Sequence, residues 1–395
     1  MLDGIRIMSF THFIQGPVAA QLLGDFGADV IKIEAPNGPY ERGWAGMDAF
    51  HNGMSDCFLI ANRNQRSLSV DMRSKEGQQV LHRLLETTDV IIENFRPGVL
   101  EKYGFGYDQL KEKHPGLIYA SLSGFGPDGP YKNRPGQDMI AQGMSGLASV
   151  SGRGGQMPVT VGASVVDMHS AVLAAFGIAS ALVERAKTGK GHKIDSCLIN
   201  SAMHLQMEIF GCYLSQGYVF DKLPTGGATR AFETPYGVYE TADSSIILSK
   251  TPIPKCRIVF GARHFEGFKD DEIYSRREEI DAIVSREMKK KTTAEWEVIF
   301  AENDCWFSRV LEYDDVVKDP QVMHNKMIYE MDHPVAGKVK LLGNPLYVDG
   351  KAPGVKIYPP LQGEHTCEIM SECGYTQAEI DDHLARGIVV RKETP

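Results

Sequence analysis

Short apolar runs alternating with amphipathic segments constrain this chain more than any other feature. The runs IRIMS (5–9), DVIKI (29–33), SLSV (67–70), DVIIENF (89–95) and GLIYASLSGFG (116–126) have the length of buried strands. Between them, PVAAQLLGDFGA (17–28) and SKEGQQVLHRLLETT (74–88) have helical spacing. Pro17 suits a first turn, Gly27 a helix end and Ser74 an N-cap. Strand, helix and strand in succession predict βαβ units with right-handed crossovers, hence an α/β fold on a parallel sheet. Such a sheet takes ligands beyond the carboxyl ends of its strands. The loops expected there are IQGP (14–17), EAPNGP (34–39), ENFRPG (93–98) and SGFGPDGP (123–130).

The pattern changes near residue 222. KLPTGGATRAFETPYG (222–237) reads as a loop, VYETADSSIILSK (238–250) as a hairpin, and 269–330 as charged amphipathic helices. With 395 residues the chain exceeds one ordinary core. The expected organisation is a large domain of 1–222 and 326–395 with a smaller α+β domain of 223–325. TQAEIDDHLARG (376–387) is the last predicted helix.

A net charge of −9 argues against a nucleic-acid surface. The N-terminus has no basic segment followed by a long apolar one, and the seven cysteines are scattered without a CxxC. A cytoplasmic protein with reduced thiols and no metal site is the expectation. The apolar stretch 161–183 is interrupted by Asp167 and His169, so a buried helix is expected there and no membrane span. GFGPDG (124–129) lacks the GxGxxG spacing, so a nicotinamide enzyme is not expected. Arg63, Arg66 and Arg73, with Arg96 and Lys102, are candidates for a phosphorylated ligand. Asp167 stands alone among apolar residues near the start of a long helix. Capping and chemistry are both open to it, as an N-cap or as a nucleophilic carboxylate in an apolar site.

Taken as an ordered series, six blocks resemble the class III coenzyme A transferases, the family of formyl-CoA transferase and the carnitine and bile-acid CoA transferases. They are LDGIRIMSFTHFIQGPVAAQLLGDFGADVIKIEAP (2–36), NRNQRSLSVDMRSKEG (62–77), DVIIENFRPGVLEKYGFGYDQL (89–110), LIYASLSGFGPDGPYKNRPGQDMIAQGMSGL (117–147), TGKGHKID (188–195) and GEHT (363–366). The resemblance implies a Rossmann-like large domain and an interlocked homodimer. It implies CoA transfer from an acyl-CoA to a carboxylic acid, with CoA as substrate and no permanently bound cofactor. It makes Asp167 the nucleophile and Asp138 a second acid near it. It assigns CoA contacts to His12, Ile14, Gln15, Val70, Asp71, Met72, Arg73, Asn94, Phe95 and, at a position that is arginine in some members, Lys102.

The related α-methylacyl-CoA racemases carry a GHD motif where this chain has Gly136, Gln137 and Asp138. The amide of Gln137 does not titrate, which disfavours a racemase. An acyl-CoA binding protein without activity is the other alternative. The run of four glycines that closes over the intermediate in formyl-CoA transferase is reduced here to TGGAT (225–229). Met203, Met207, Phe210, Tyr213 and Tyr218 form a stripe that suits core packing or an acyl pocket.

Overall fold

The computed structural model describes residues 1–218, 222 and 232–392; Gly226 and Gly227 lie outside them. The chain divides into two compact units, Met1–Ala141 with Ser164–Ser201 and Gln321–Pro395, and Gln142–Ala163 with Ala202–Pro320. The change of pattern near 222 is therefore not a unit boundary. Residues 142–163 join the second unit, where Gln206 Nε2 donates to Ser145 Oγ at 3.2 Å.

The first unit is built on β1 (Arg6–Phe10), β2 (Asp29–Glu34), β3 (Gln65–Val70), β4 (Val90–Glu93), β5 (Ile118–Ser123) and β6 (Lys193–Cys197). Their spatial order is β3-β2-β1-β4-β5-β6, all parallel. The C-terminal strand Val389–Val390 joins the β3 edge antiparallel. Alternation sends Ile7, Val30, Val90 and Ile92 into one face and Met8, Ile31, Leu68 and Ile91 into the other. Helix α1 (Gln15–Asp25) contributes Val18, Ala19 and Leu23 to the first face, and α2 (Lys75–Leu85) contributes Val80, Leu81 and Leu84 to the second. Ser74 caps α2, its hydroxyl accepting from Gly77 N at 3.0 Å.

The GEHT segment closes this unit. Gly363 N donates to Ser67 Oγ at 2.7 Å, and Thr366 Oγ1 donates to Val390 O at 2.8 Å. Two arginines of the 61–74 stretch are structural. Arg63 makes a two-pronged pair with Asp25 at 3.0 and 2.6 Å. Arg66 stands at the amino end of β3, paired with Asp29, Glu368 and Glu372. Neither is offered to a phosphate at the carboxyl edge.

The second unit holds a three-stranded antiparallel sheet of Gly237–Glu240, Ser245–Ser249 and Trp306–Arg309. Helices Ile253–Phe260, Arg277–Met288 and Thr293–Glu302 cover it, and Tyr239, Leu248, Phe260, Trp296 and Phe300 form its core. Of the stripe read as core packing or an acyl pocket, Met203, Met207, Tyr213 and Tyr218 are exposed and Phe210 is half-buried, so within this chain it is not core.

Candidate active site

In a sheet of this order the connections reverse direction between β1 and β4, which opens a crevice at their carboxyl ends. The two loops that line it are fastened together. Asn94 Oδ1 accepts from His12 N at 2.9 Å, and Asn94 Nδ2 donates to His12 O at 2.8 Å. The rings of His12 and Phe95 lie 5.3 Å apart. Behind the first loop, the fully buried Lys32 donates from Nζ to Thr11 O at 2.8 Å. A Cβ on Gly16 would stand 2.6 Å from Thr11 Cγ2 and 3.1 Å from Asn94 Cγ, so only glycine lets α1 begin this close to both loops. Burial pushes the His12 imidazole below its usual range, which makes it neutral near pH 7 and no cation for a phosphate.

Glu93 escaped the sequence reading. It is buried at the end of β4, directly opposite Ser121. Its carboxylate accepts from Ser121 Oγ and, at 3.0 Å, from Phe95 N, so it holds the second loop in place. Burial pushes this carboxyl up to about 7. Only its position at a strand end could have flagged it.

Asp167 lies at the same edge, on α4 (Val165–Thr188). It is the third residue of that helix and not its cap; Ser164 holds the cap position and makes no side-chain capping bond. The cap comes from Asp138, the first residue of α3 (Asp138–Met144). Asp138 Oδ2 accepts from Val166 N at 2.7 Å and from Asp167 N at 2.9 Å. These two N–H groups are thereby spent on the Asp138 carboxylate and are not offered to an oxyanion. Asp138 is held by a close backbone approach: a Cβ on Gly136 would lie 2.4 Å from Gly124 Cα. That contact accounts for glycines in both SGFG and PGQD. The Asp167 carboxyl is half-buried, and burial, with the Asp138 charge adding to it, pushes it up to about 7.

The remaining candidates are more dispersed. Gln15 is buried, its Nε2 donating to Ser170 Oγ on α4 at 2.7 Å. Ile14 is half-buried and packs into the core behind α1. Val70 is buried and pairs with Val389, while Met72 packs on the core beyond β3. Asp71 Oδ1 accepts from Arg73 Nε at 2.9 Å, and the Arg73 side chain is largely exposed. Lys102 is exposed on the turn Leu100–Tyr103. Contacts thus join His12 to Asn94 and Phe95, Gln15 to the Asp167 helix, and Asp138 to Asp167. Arg73 interacts electrostatically with Tyr103 of the turn that carries Lys102, and Met72 packs on the same core cluster as Phe95 and Tyr103. Among the described residues no group of three or more His, Cys, Asp or Glu is arranged to hold a metal.

Helix α4 is long and apolar enough to cross a membrane by length and composition alone. The burial expected of it holds for one side only: Val166, Ala171, Ala174 and Ile178 enter the core, whereas Met168, Val172, Phe176 and Val183 are exposed.

Comparison with known proteins agrees with this geometry. The family described as CoA-transferase family III matches residues 2–366. The chain is 31% identical to a succinyl-CoA:glutarate CoA-transferase of Mus musculus, over 100% of this chain and 91% of that protein. It is also 31% identical to a formyl-CoA:oxalate CoA-transferase of Rhodopseudomonas palustris, over 96% and 95%. A CAIB/BAIF family crystal structure from Brucella suis superposes with a TM-score of 0.81 at 29% identity, covering 94% of this chain and 99% of that one. With its reversing parallel sheet, its fastened crevice loops and its end-to-end similarity to CoA-transferases, this chain is an enzyme of CoA-transferase family III.

Proposed function

We propose that the protein moves CoA from an acyl-CoA to a free carboxylic acid through covalent intermediates on Asp167. The observation that carries this reading is a half-buried carboxyl, raised to about 7, on a helix start beside the crevice. A more basic carboxylate is a better nucleophile, and about half of it is ionised near neutral pH.

Asp167 attacks the thioester carbonyl. The C–S bond breaks, giving a mixed anhydride and CoA thiolate. The thiolate attacks the aspartyl carbonyl, the anhydride C–O bond breaks, and the donor acid leaves an aspartyl-CoA thioester. The acceptor carboxylate attacks this thioester and expels the thiolate, forming a second anhydride. The thiolate then takes the acceptor acyl group and restores Asp167. No net proton is exchanged, and the activated bond is kept from water. For the CoA phosphates, the support lies at the start of α1. Ile14 supplies no side-chain cap there and the first turn holds no acid, an arrangement that favours an anion. Arg73 and Lys102 are further cations for this role.

Incubation with an acyl-CoA and hydroxylamine is expected to convert Asp167 to its hydroxamate, a mass change localised by peptide mass spectrometry. Label on another residue, or none, overturns the covalent route. Turnover is expected to rise with pH through about 7, because only the carboxylate form attacks.

We further propose that a second copy of the chain covers the exposed stripe Met168, Val172, Phe176 and Val183, as part of an interlocked homodimer. The spacing places these side chains along one side of α4, too apolar and continuous to be left to solvent. Analytical ultracentrifugation is expected to give twice the chain mass, and Phe176→Glu to lower it. A monomeric wild type refutes the assignment.

A further inference from the structure

Three elements meet at one buried polar chain. Gln15 opens α1 and is 5% exposed, and its Nε2 donates to Ser170 Oγ at 2.7 Å. Ser170 on α4 is 0% exposed, and its Oγ lies 3.3 Å from Ser196 Oγ near the carboxyl end of β6. The surrounding α1–α4 contact is apolar, formed by Val18, Ala19, Ala171, Ala174 and Ile178. Apolar surfaces slide at little cost, whereas a hydrogen bond buried between them is satisfied in one register only.

That register matters here. Ser170 follows Asp167 by three residues, so the two share a side of the helix one turn apart. At the other end of the chain, Gln15 adjoins Gly16, which packs on Thr11 and Asn94 of the crevice loops. The amide and two hydroxyls therefore span the distance from the crevice wall to the nucleophile's helix.

We infer that Gln15 and Ser170, backed by Ser196, are positioning residues that set the Asp167 carboxylate against the thioester carbonyl. This rests on the reading of Asp167 as the acylated group. It gives the Gln15 side chain a role apart from the CoA contact that the family resemblance implies, since its Nε2 donates to Ser170 Oγ. A misplacement of about 1 Å costs up to roughly a hundredfold in rate.

The test compares Gln15→Met, Ser170→Ala and the double variant, with acylation measured in a single turnover per titratable site so that unfolded protein is not counted. Each single variant is expected to acylate about tenfold more slowly, with acyl-CoA affinity within about twofold of wild type. The double variant, in which no unpaired polar group remains between Gln15 and Ser170, is expected to be no slower than either single. It also retains an apolar interface should Ser170→Ala alone fail to fold. The rise of rate with pH through about 7 should stay in place, since the Asp167 surroundings keep their charge. Unchanged acylation rates, losses that multiply in the double variant, or weakened acyl-CoA binding with normal acylation overturn the inference; the last outcome makes Gln15 a ligand contact. Failure of the underlying reading looks different: wild-type label would then be absent from Asp167 itself.

Discussion

Asp167→Ala and Asp167→Asn are expected to lower turnover by at least about four orders of magnitude while acyl-CoA affinity stays within a few-fold. Removal of the nucleophile costs about 10⁶ in a serine protease; here Ala has no oxygen to form the bond, and the Asn amide oxygen carries no charge with which to attack. The nearest acid, Asp138, does not substitute: the oxygen facing α4 already accepts two backbone N–H groups. The same variants carry a stability signature. A carboxyl raised from 3.8 to about 7 in the folded chain binds its proton more tightly folded than unfolded, so its contribution is greatest at low pH and is lost as pH rises through about 7. Asp167→Asn removes that loss, and at pH 8 the inactive variant should be at least as resistant to urea as the wild type. Near-normal turnover in either variant would falsify the mechanism. A marked loss of stability at pH 8 would instead show that the Asp167 charge supports the fold.

The frame of the first unit was legible because strands buried on both faces are written as continuous apolar runs, and β1, β2 and β4 are such runs. Ser74 was legible because a cap and the N–H it receives are neighbours in sequence. The partner of Asp167 was reached only through the family resemblance, and its capping role was not legible. Asp138 lies 29 residues away and reaches α4 through a glycine–glycine contact that no local pattern encodes. The arginines misled for the same reason. Arg63 and Arg66 stand in one short stretch, but their acids come from residues 25, 29, 368 and 372. The α4 stripe and the methionine–tyrosine stripe read as buried because composition registers apolar character and not position, and within this chain both are largely exposed.

Asp138 combines two effects that a pair of variants separates. Its carboxylate satisfies two N–H groups at the start of α4, and its negative charge raises the Asp167 carboxyl after burial has done most of that work. Asn keeps an oxygen for the N–H groups and removes the charge, whereas Ala removes both. In Asp138→Asn the acidic limb of the pH–rate profile should move below about 7, so that the variant retains a larger share of its maximal rate at pH 5.5 than the wild type. Its plateau rate above pH 8 should fall modestly, since a less basic carboxylate attacks less readily. In Asp138→Ala the two donors are left without their acceptor at a cost of about 1–3 kcal/mol each, and the first turn of α4 loses its anchor. Turnover should then fall by about a hundredfold across the pH range, with a lowered unfolding midpoint. If Asp138→Asn leaves the acidic limb in place, the Asp138 charge does not govern the nucleophile. If Asp138→Asn is as inactive as Asp138→Ala while its fold is intact, Asp138 takes a direct part in the chemistry that capping does not explain.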